Sequence, residues 1–281
     1  MSQAASQRLI NVGVSTRKLS AASLGSTRQL RDVPAAQASP VRLALVDAST
    51  RDRFLEACRA GDADAMQTAL SKLQQQHPEC TAHITRGAVA VPAEQRPFYN
   101  VLGAGLAAAA SHNHTSLVEL LMTGAYAECV VHGICRDDAL FPPFMVPQGI
   151  PSFPVKRCVQ SMRFVAFAAL ACVDRVATQG FQCLLEMEVL LPFEAEWCLE
   201  LAMRRAVAQF DSTDAMAEGA PFQTIIIHVL RRFEALVDTV RDFHLVFERD
   251  VQAQTTDAAI ERLDRAHALQ SVVLYELVTN R

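Results

Sequence analysis

Apolar side chains along the C-terminal part of the chain are spaced alternately four and three residues apart, which is typical of helices that pack against one another. The first stripe follows Pro221 and comprises Ile226, Leu230, Phe233, Val237, Val240, His244, Phe247 and Val251. The second stripe follows a polar interruption at Gln252–Thr255 and comprises Ile260, Leu263, His267, Gln270, Leu274 and Leu277. The pattern predicts an unbroken helix and a second long helix that folds back on it as an antiparallel pair.

The first of these two helices carries more apolar surface than one partner can cover. Val229, Leu236 and Phe243 widen its stripe beyond the single seam that a helix pair requires. We therefore expect a third helix, or another protein, to pack against it.

A shorter pattern nearer the N-terminus predicts a helical hairpin. Ser49 or Thr50 is suited to cap its first helix, and Gly61 is suited to end that helix. Asp62 is suited to cap the second helix. The apolar residues of the second helix are Met66, Ala69, Leu70 and Leu73. Two short helices joined by a Gly-Asp turn form an αα-hairpin.

A comparable unit recurs downstream. Leu106–Ala110 predicts a helix of small residues, and Ser111–His114 predicts the turn. Thr115–Met122 predicts the second helix, which Gly124-Ala125 closes. Small residues on the first helix would allow neighbouring hairpins to stack closely.

The downstream unit resembles an ankyrin repeat. Ala109-Ala110 match the paired alanines of that repeat, and Asn113-His114 match its Gly-His turn. Gly124-Ala125 match its terminal pair. The resemblance extends over about residues 51–129. It implies stacked hairpins whose concave surface binds a partner protein.

The spacing of the two hairpins departs from that of ankyrin repeats. Their turns, at Gly61 and Asn113, lie about 52 residues apart, whereas adjacent repeats have a period of about 33 residues. We therefore expect Gln74–Asn100, with its strand-like Ala82–Val91, to be an insertion. An array of α-hairpins unrelated to ankyrin is the alternative explanation of the same small-residue packing.

Residues 137–155 contain five prolines, a density that forbids both helix and regular β-ladder. The large apolar side chains of this segment are candidates for binding a neighbouring protein: Phe141, Phe144, Met145 and Phe153. The alternative, which we favour, is a loop that packs over the core of its own chain.

These elements predict an all-α protein, in which an ankyrin-like array of helical hairpins precedes a C-terminal helical bundle with a long antiparallel helix pair. The absence of Asn-Gly and Asp-Gly dipeptides agrees, because they are the strongest signals of β-hairpins. The expected organisation is a basic arm at 1–47, hairpins with an insertion at 48–136, a proline-rich crossover at 137–155 and the bundle at 156–281.

The first thirty residues contain four basic side chains and no Asp or Glu. This composition is typical of a mitochondrial targeting segment. The alternatives are a disordered tail and an uncleaved basic arm that contacts a neighbouring protein through residues such as Arg17 and Lys18. We accordingly expect a mitochondrial location, or otherwise a cytoplasmic one.

The remainder of the chain is mildly acidic. Residues 1–50 carry six basic and two acidic side chains, so they contribute +4 to a net charge of −4 and leave −8 elsewhere. This balance argues against a broad surface for duplex nucleic acid and leaves RNA contact to the basic arm. Arg204-Arg205 and Arg231-Arg232 are interpreted as solvated helix faces. The longest apolar run, about ten residues, is too short to span a bilayer, which takes roughly 20.

Cys129, His132 and Cys135 are the one group of candidate metal ligands. Thiol and imidazole are groups that zinc accepts, but Cys-x2-His-x2-Cys lacks the second pair of ligands that a structural zinc site normally has. Two packed cysteines beside a polar histidine are therefore the preferred interpretation. Most of the other cysteines lie singly among apolar residues, as reduced and buried thiols do.

The sequence contains no Gly-rich phosphate loop, no His-Glu-x-x-His and no Gly-x-Ser-x-Gly. We therefore predict no catalytic residue and no cofactor. The first hypothesis is a non-catalytic protein–protein interaction scaffold or assembly protein. The alternative is an accessory subunit of a large mitochondrial complex, such as a ribosome or respiratory assembly. A zinc protein or an unfamiliar enzyme centred on Cys129–Cys135 is the third hypothesis.

Overall fold

The computed structural model describes residues 46–78, 80, 96–135, 139–144, 162–209 and 220–279. These ranges are mainly helical and contain no strand. Their one extended pairing is an antiparallel bridge between Ile134 and Arg163. The predicted all-α class is confirmed.

Helices are numbered in chain order. The helices before the proline-rich segment are α1 (Ala48–Ala60), α2 (Ala63–Gln76), α3 (Arg96–Ser111), α4 (Thr115–Thr123) and α5 (Ala127–His132). Those that follow it are α6 (Phe164–Arg175), α7 (Thr178–Glu186), α8 (Pro192–Gln209), α9 (Ala220–Arg232), α10 (Val237–Asp242), α11 (His244–Gln254) and α12 (Asp257–Thr279).

The cap of α1 lies earlier than expected. Asp47, and not Ser49 or Thr50, caps this helix, because its carboxylate accepts a hydrogen bond from the Thr50 backbone N–H at 2.9 Å. The Thr50 hydroxyl donates to the same carboxylate at 2.7 Å. These bonds lower the pKa of Asp47. A capping oxygen must precede its amide by two or three residues, and Thr50 is already inside the first turn.

The turn between α1 and α2 is the predicted one. Gly61 takes the left-handed conformation, with φ of 76°, and ends α1. A side chain there would also meet the ring of His114, whose Nδ1 would lie 2.6 Å from an added Cβ. Asp62 then caps α2 by accepting from the Ala65 N–H at 2.9 Å.

The second hairpin also forms where it was predicted. Asn113 lies in the turn between α3 and α4 with φ of 62°, a conformation that asparagine tolerates. The expected insertion Gln74–Asn100 is too long at both ends, because α2 continues to Gln76 and α3 already begins at Arg96. Its strand-like part, Ala82–Val91, lies outside the described residues. The ankyrin resemblance of the two hairpins stays a prediction.

Helices α3 and α6 form the most extensive helix–helix contact. Gly103 makes the close approach possible, because an added Cβ would lie 2.3 Å from the ring of Phe164. The described residues form one compact unit, and one apolar core extends from Phe54 to Val273. The stretches before and after the proline-rich segment therefore share a single core.

A buried ion pair ties α6 to α8. The Arg163 guanidinium donates to both carboxylate oxygens of Glu194, with Nε at 2.7 Å from Oε1, and to the carbonyl of Val189 at 2.8 Å. Glu194 also accepts from the Leu191 backbone N–H at 2.9 Å, so it caps the first turn of α8. Its side chain is only 2% exposed, so the arginine supplies the charge that balances it.

The first helix of the predicted C-terminal pair is broken. A 3₁₀ turn, Glu234–Leu236, follows Phe233, whose ψ of 72° ends α9. Periodicity does not reveal this break, because a 3₁₀ turn of three residues advances the apolar stripe by about one turn, as an α-helix does. The hairpin is made by α11 and α12, joined at Thr255, and α12 is its one long member.

The buried face of α12 also differs from the predicted stripe. Ile260 is 44% exposed and His267 is exposed. The residues that α12 buries are Ala259, Ala266, Leu269 and Val273. Helix α12 packs against α8 and α9 as well as α11, and these three neighbours together select the buried face. No described helix is both long and apolar enough to cross a membrane.

Candidate functional site

A cleft of about 420 Å³ opens where α1, α3, α6 and α8 meet residues 139–144 of the proline-rich segment. Its floor contains four alanines: Ala104, Ala107, Ala108 and Ala171. Because an alanine side chain ends at Cβ, these positions leave a depression between the helices. Ala108 and Ala171 are half-buried and face the open volume.

One wall of the cleft is the proline-rich segment, which the core holds in place. The Phe141 ring is buried and stacks on Phe164, with ring centroids 5.4 Å apart. The Phe144 ring packs on Phe167 at 4.9 Å. Pro142 and its neighbour Pro143 lie between these rings in the chain and line the cleft.

Two of the predicted partner-binding residues are thus in the core of the chain itself. Phe141 is 1% exposed and Phe144 is 9% exposed, so neither ring offers a surface to a partner. This is the arrangement that the alternative interpretation of the segment describes. The other residues of that prediction lie outside the described part of the chain: Arg17, Lys18, Met145 and Phe153.

Three arginines stand around the cleft. Arg59 is half exposed and hydrogen-bonds Glu56 at 3.3 Å. Arg205 is ion-paired with Asp174. Arg175 is exposed and has neither an ion pair nor a hydrogen bond within the described part of the chain.

Among the described residues, the side chains of Arg59 and Arg175 cap none of the helices that end at the cleft. Helices α1, α3 and α6 all end here, and helix C-termini carry partial negative charge. His114 Nε2 donates to the carbonyl of Arg59 at 2.7 Å, and His112 Nδ1 donates to that of Ala108 at 2.8 Å. At the end of α6, the Ala177 N–H donates to a carbonyl at 2.8 Å. Imidazole and backbone donors therefore satisfy these carbonyls.

The charged lining is positive in balance. Three arginines face the cleft against one carboxylate, Asp174, so the lining carries +2. The Arg205 side chain is 22% exposed, and its partial shielding from bulk water strengthens its effect on a bound anion. The cleft can therefore hold an apolar side chain on its floor and carboxylates at its edge.

Ser111 and His112 lie in the cleft but do not form a nucleophile–base pair. The hydroxyl oxygen of Ser111 is 3.3 Å from Nδ1 of His112. A carbonyl only accepts hydrogen bonds, so the bond to Ala108 places the proton on that same nitrogen. Nδ1 consequently cannot take the serine proton, and the hydroxyl is not activated.

The candidate zinc ligands do not converge. Cys129 and Cys135 are fully buried, whereas His132 is exposed. Cys129 shares a side-chain hydrogen bond with Tyr99. Among the described residues, no three Cys, His, Asp or Glu side chains are placed to hold a metal ion.

The cysteines that the structure describes are buried in the apolar core, as their surroundings in the sequence predicted. Those that the structure describes are all free and buried: Cys58, Cys80, Cys129, Cys135, Cys172, Cys183 and Cys198. Burial raises the pKa of Cys58 to about 12 and raises the pKa of Cys135, Cys172 and Cys198 as well. Thiols of this kind are packing residues and not nucleophiles.

Two other surfaces are less specific. A groove of about 360 Å³ between α2 and α4 is lined by residues such as Leu70, Leu120 and Tyr126 and carries no charge that would select a partner. On α12, Tyr275 is 69% exposed and Val278 is 76% exposed. Nothing in the described structure indicates what covers either surface.

Comparisons with protein families, with curated proteins and with solved structures each find no match to this chain.

The sequence contains little that points to the cleft. Arg59 and Arg175 each lie in the last turn of a helix, where basic residues commonly complement the helix dipole. The arginine pair Arg204-Arg205 was interpreted as solvated, but Arg204 is 4% exposed and pairs with Glu200 on its own helix. Only Arg205 reaches the cleft.

Proposed function

We propose that this chain is a non-catalytic protein-interaction or assembly protein, and that the cleft receives a segment of its partner. The observation that carries the proposal is the combination of an alanine floor, a wall formed by Pro142 and Pro143, and three arginines around one opening. Interfaces favour such a buried apolar centre with a polar rim, and arginine is enriched in them.

The chemistry of the cleft supports a binding role. The serine there is not activated, and its nearest imidazole is occupied as a helix cap. The described cysteines are buried. A cleft with fixed walls and no reactive group is suited to hold a ligand without changing it.

The place of this protein in a larger assembly is a further part of the proposal. The expectation of a mitochondrial complex depends on the basic N-terminal arm, which lies outside the described residues. It stays a prediction, and so does the ankyrin-like character of the hairpins.

Filling the cleft tests the proposed function. Ala108→Leu with Ala171→Leu would add six carbon atoms to the opening without changing a charge. We expect the tagged full-length variant to lose the partner that the wild-type chain retains through native size-exclusion chromatography of cell extracts. The matched control is Ala268→Leu, at an exposed position of α12.

The comparison is valid when all the proteins have similar circular dichroism spectra and melting temperatures. Retention of the same partner by the filled variant would show that the cleft is not the interface. A wild-type chain that elutes as a monomer from every extract would contradict the proposed function itself.

A further inference from the structure

We propose that the segment bound in the cleft is acidic, with at least two carboxylates beside an apolar side chain. This inference rests on the proposed function and adds the chemistry of the partner. Arg175 is exposed, lines the cleft and is engaged by no other described residue. A guanidinium group offers two parallel N–H donors to one carboxylate, a geometry that lysine cannot reproduce.

Arg59 supplies the second contact. Its bond to Glu56 is long, at 3.3 Å, and both side chains are about half exposed or more. Exposed pairs of this kind contribute little free energy. A carboxylate of the partner can therefore replace Glu56 at small cost.

Arg205 has a different role, because it is held by Asp174. The Arg205 side chain is 22% exposed, and the ion pair fixes its position in the wall of the cleft. We expect it to contribute to the field in the opening without giving up its own carboxylate. The binding motif thus needs two carboxylates, one for Arg59 and one for Arg175.

The apolar part of the motif is set by the floor and the wall. Ala108 and Ala171 leave the space, and Pro142 and Pro143 form a rigid edge beside it. Proline rings and alanine methyl groups bind by apolar contact, so an aliphatic or aromatic side chain is the group that fits between them.

A peptide fits this cleft better than a small anion or a nucleic acid. Sites for small molecules bury most of their ligand, whereas two of these arginines are about half exposed or more. Proteins that bind single-stranded nucleic acid commonly stack its bases on exposed aromatic rings, whereas the ring of Phe144 is 9% exposed. A peptide chain that crosses the opening can place carboxylates beside the arginines and an apolar side chain on the alanine floor at the same time.

Selection from a phage-displayed library of random peptides tests the inference on the full-length protein. Peptides are selected on the wild-type chain and removed on the Ala108→Leu variant, so that the survivors depend on the cleft. We expect survivors in which Asp and Glu flank an apolar residue. Their affinity, measured by fluorescence polarisation, should fall as NaCl is raised from about 50 to about 300 mM.

Charge reversal gives the quantitative readout. Arg175→Glu should weaken binding of the leading peptide roughly tenfold or more. The control is Arg249→Glu on α11, which makes the same change of net charge at an exposed site that does not line the cleft. It should change the affinity less than about twofold.

Several results would overturn the inference. Cleft-dependent peptides without acidic enrichment, or peptides indifferent to Arg175→Glu, would leave the cleft as an interface but remove its preference for carboxylates. Equal binding of succinate or inorganic phosphate would make it an anion site, and tighter binding of oligouridylate would make it a nucleic-acid site. A library with no cleft-dependent peptide counts against the inference, while the native-complex experiment decides the proposed function separately.

Discussion

Helices α3 and α12 differ in how much of their surface the rest of the protein covers. Helix α3 buries thirteen of its sixteen residues, whereas α12 buries four of its 23. Glycines and alanines on α3 allow backbones to approach closely, so its neighbours can surround it. Helix α12 leaves most of its residues partly or fully exposed, and polar side chains on it bond to α10 and α11.

Two polar contacts join α12 to the neighbouring helices α10 and α11. Arg262 is ion-paired with Asp250 at 2.9 Å, and the Gln270 side chain donates to the carbonyl of Arg241 at 2.7 Å. Such contacts tolerate small displacements, whereas the α3–α6 contact leaves no room for an added carbon atom. The cleft is therefore built on the close-packed part of the molecule. Any function that α12 has would rest on the more adaptable part.

Removal of a buried charge should give the largest difference between the two regions. Arg163→Met leaves the Glu194 carboxylate without its partner in the close-packed region, and we expect a loss of about 3–5 kcal/mol in the free energy of unfolding. Urea denaturation measures it. Combining Arg163→Met with Glu194→Gln should restore part of the lost stability. The glutamine amide is uncharged, and its oxygen can still accept the hydrogen bond from the Leu191 N–H. A single variant as stable as the wild type would contradict the burial of this pair.

An added methyl group should reveal the difference in packing between the two regions almost as clearly. A Cβ at Gly180 would lie 2.0 Å from the carbonyl oxygen of Ala110, so Gly180→Ala must move α7 away from α3. Overpacking costs about 3 kcal/mol, and alanine regains roughly 1 kcal/mol as the better helix former. The net loss of about 2 kcal/mol should appear in urea denaturation. Ala268→Leu on α12 adds more atoms and should change stability by less than about 0.5 kcal/mol.

Loss of an ion pair in the α11–α12 hairpin should cost less than loss of the pair between α6 and α8. Asp250→Ala removes the partner of Arg262, whose side chain is 17% exposed, and we expect a loss of about 1 kcal/mol. Hydrogen exchange should increase in α12 and not in α3, because the hairpin can open locally. A double-mutant cycle with Arg262→Ala isolates the pair, and exchange that rises equally in both helices would refute the distinction between the regions.

The smallest change in stability should come from protonation of His228 on α9. Burial, followed by the nearby Arg231, lowers the pKa of this histidine below its ordinary value of 6.5. The unfolded chain therefore binds the proton more readily, and the stability contributed by neutral His228 is lost as pH falls below 6.5. The melting temperature of the wild type should decrease more on acidification than that of His228→Gln. Parallel curves would show that His228 does not contribute.

Local chemistry allowed the sequence to predict the helical class and both hairpin turns. Gly61 and Asp62 act on the backbone beside them, so a turn there follows from residue type alone. The burial of the cysteines followed from their apolar neighbours. Even the missed cap at Asp47 lies within three residues of the predicted one.

The tertiary structure decided which helix faces are buried and where the cleft lies. Ile260 and Ala259 are adjacent in sequence, and either stripe satisfies helical spacing, so only the positions of α8, α9 and α11 select the buried one. The packing of α1 on α3, of α3 on α6 and of α6 on α8 brings Arg59, Arg175 and Arg205 to one opening. The spacing of apolar residues shows which face a single helix can bury. A site formed by residues that lie far apart in the sequence depends on how the helices pack against one another.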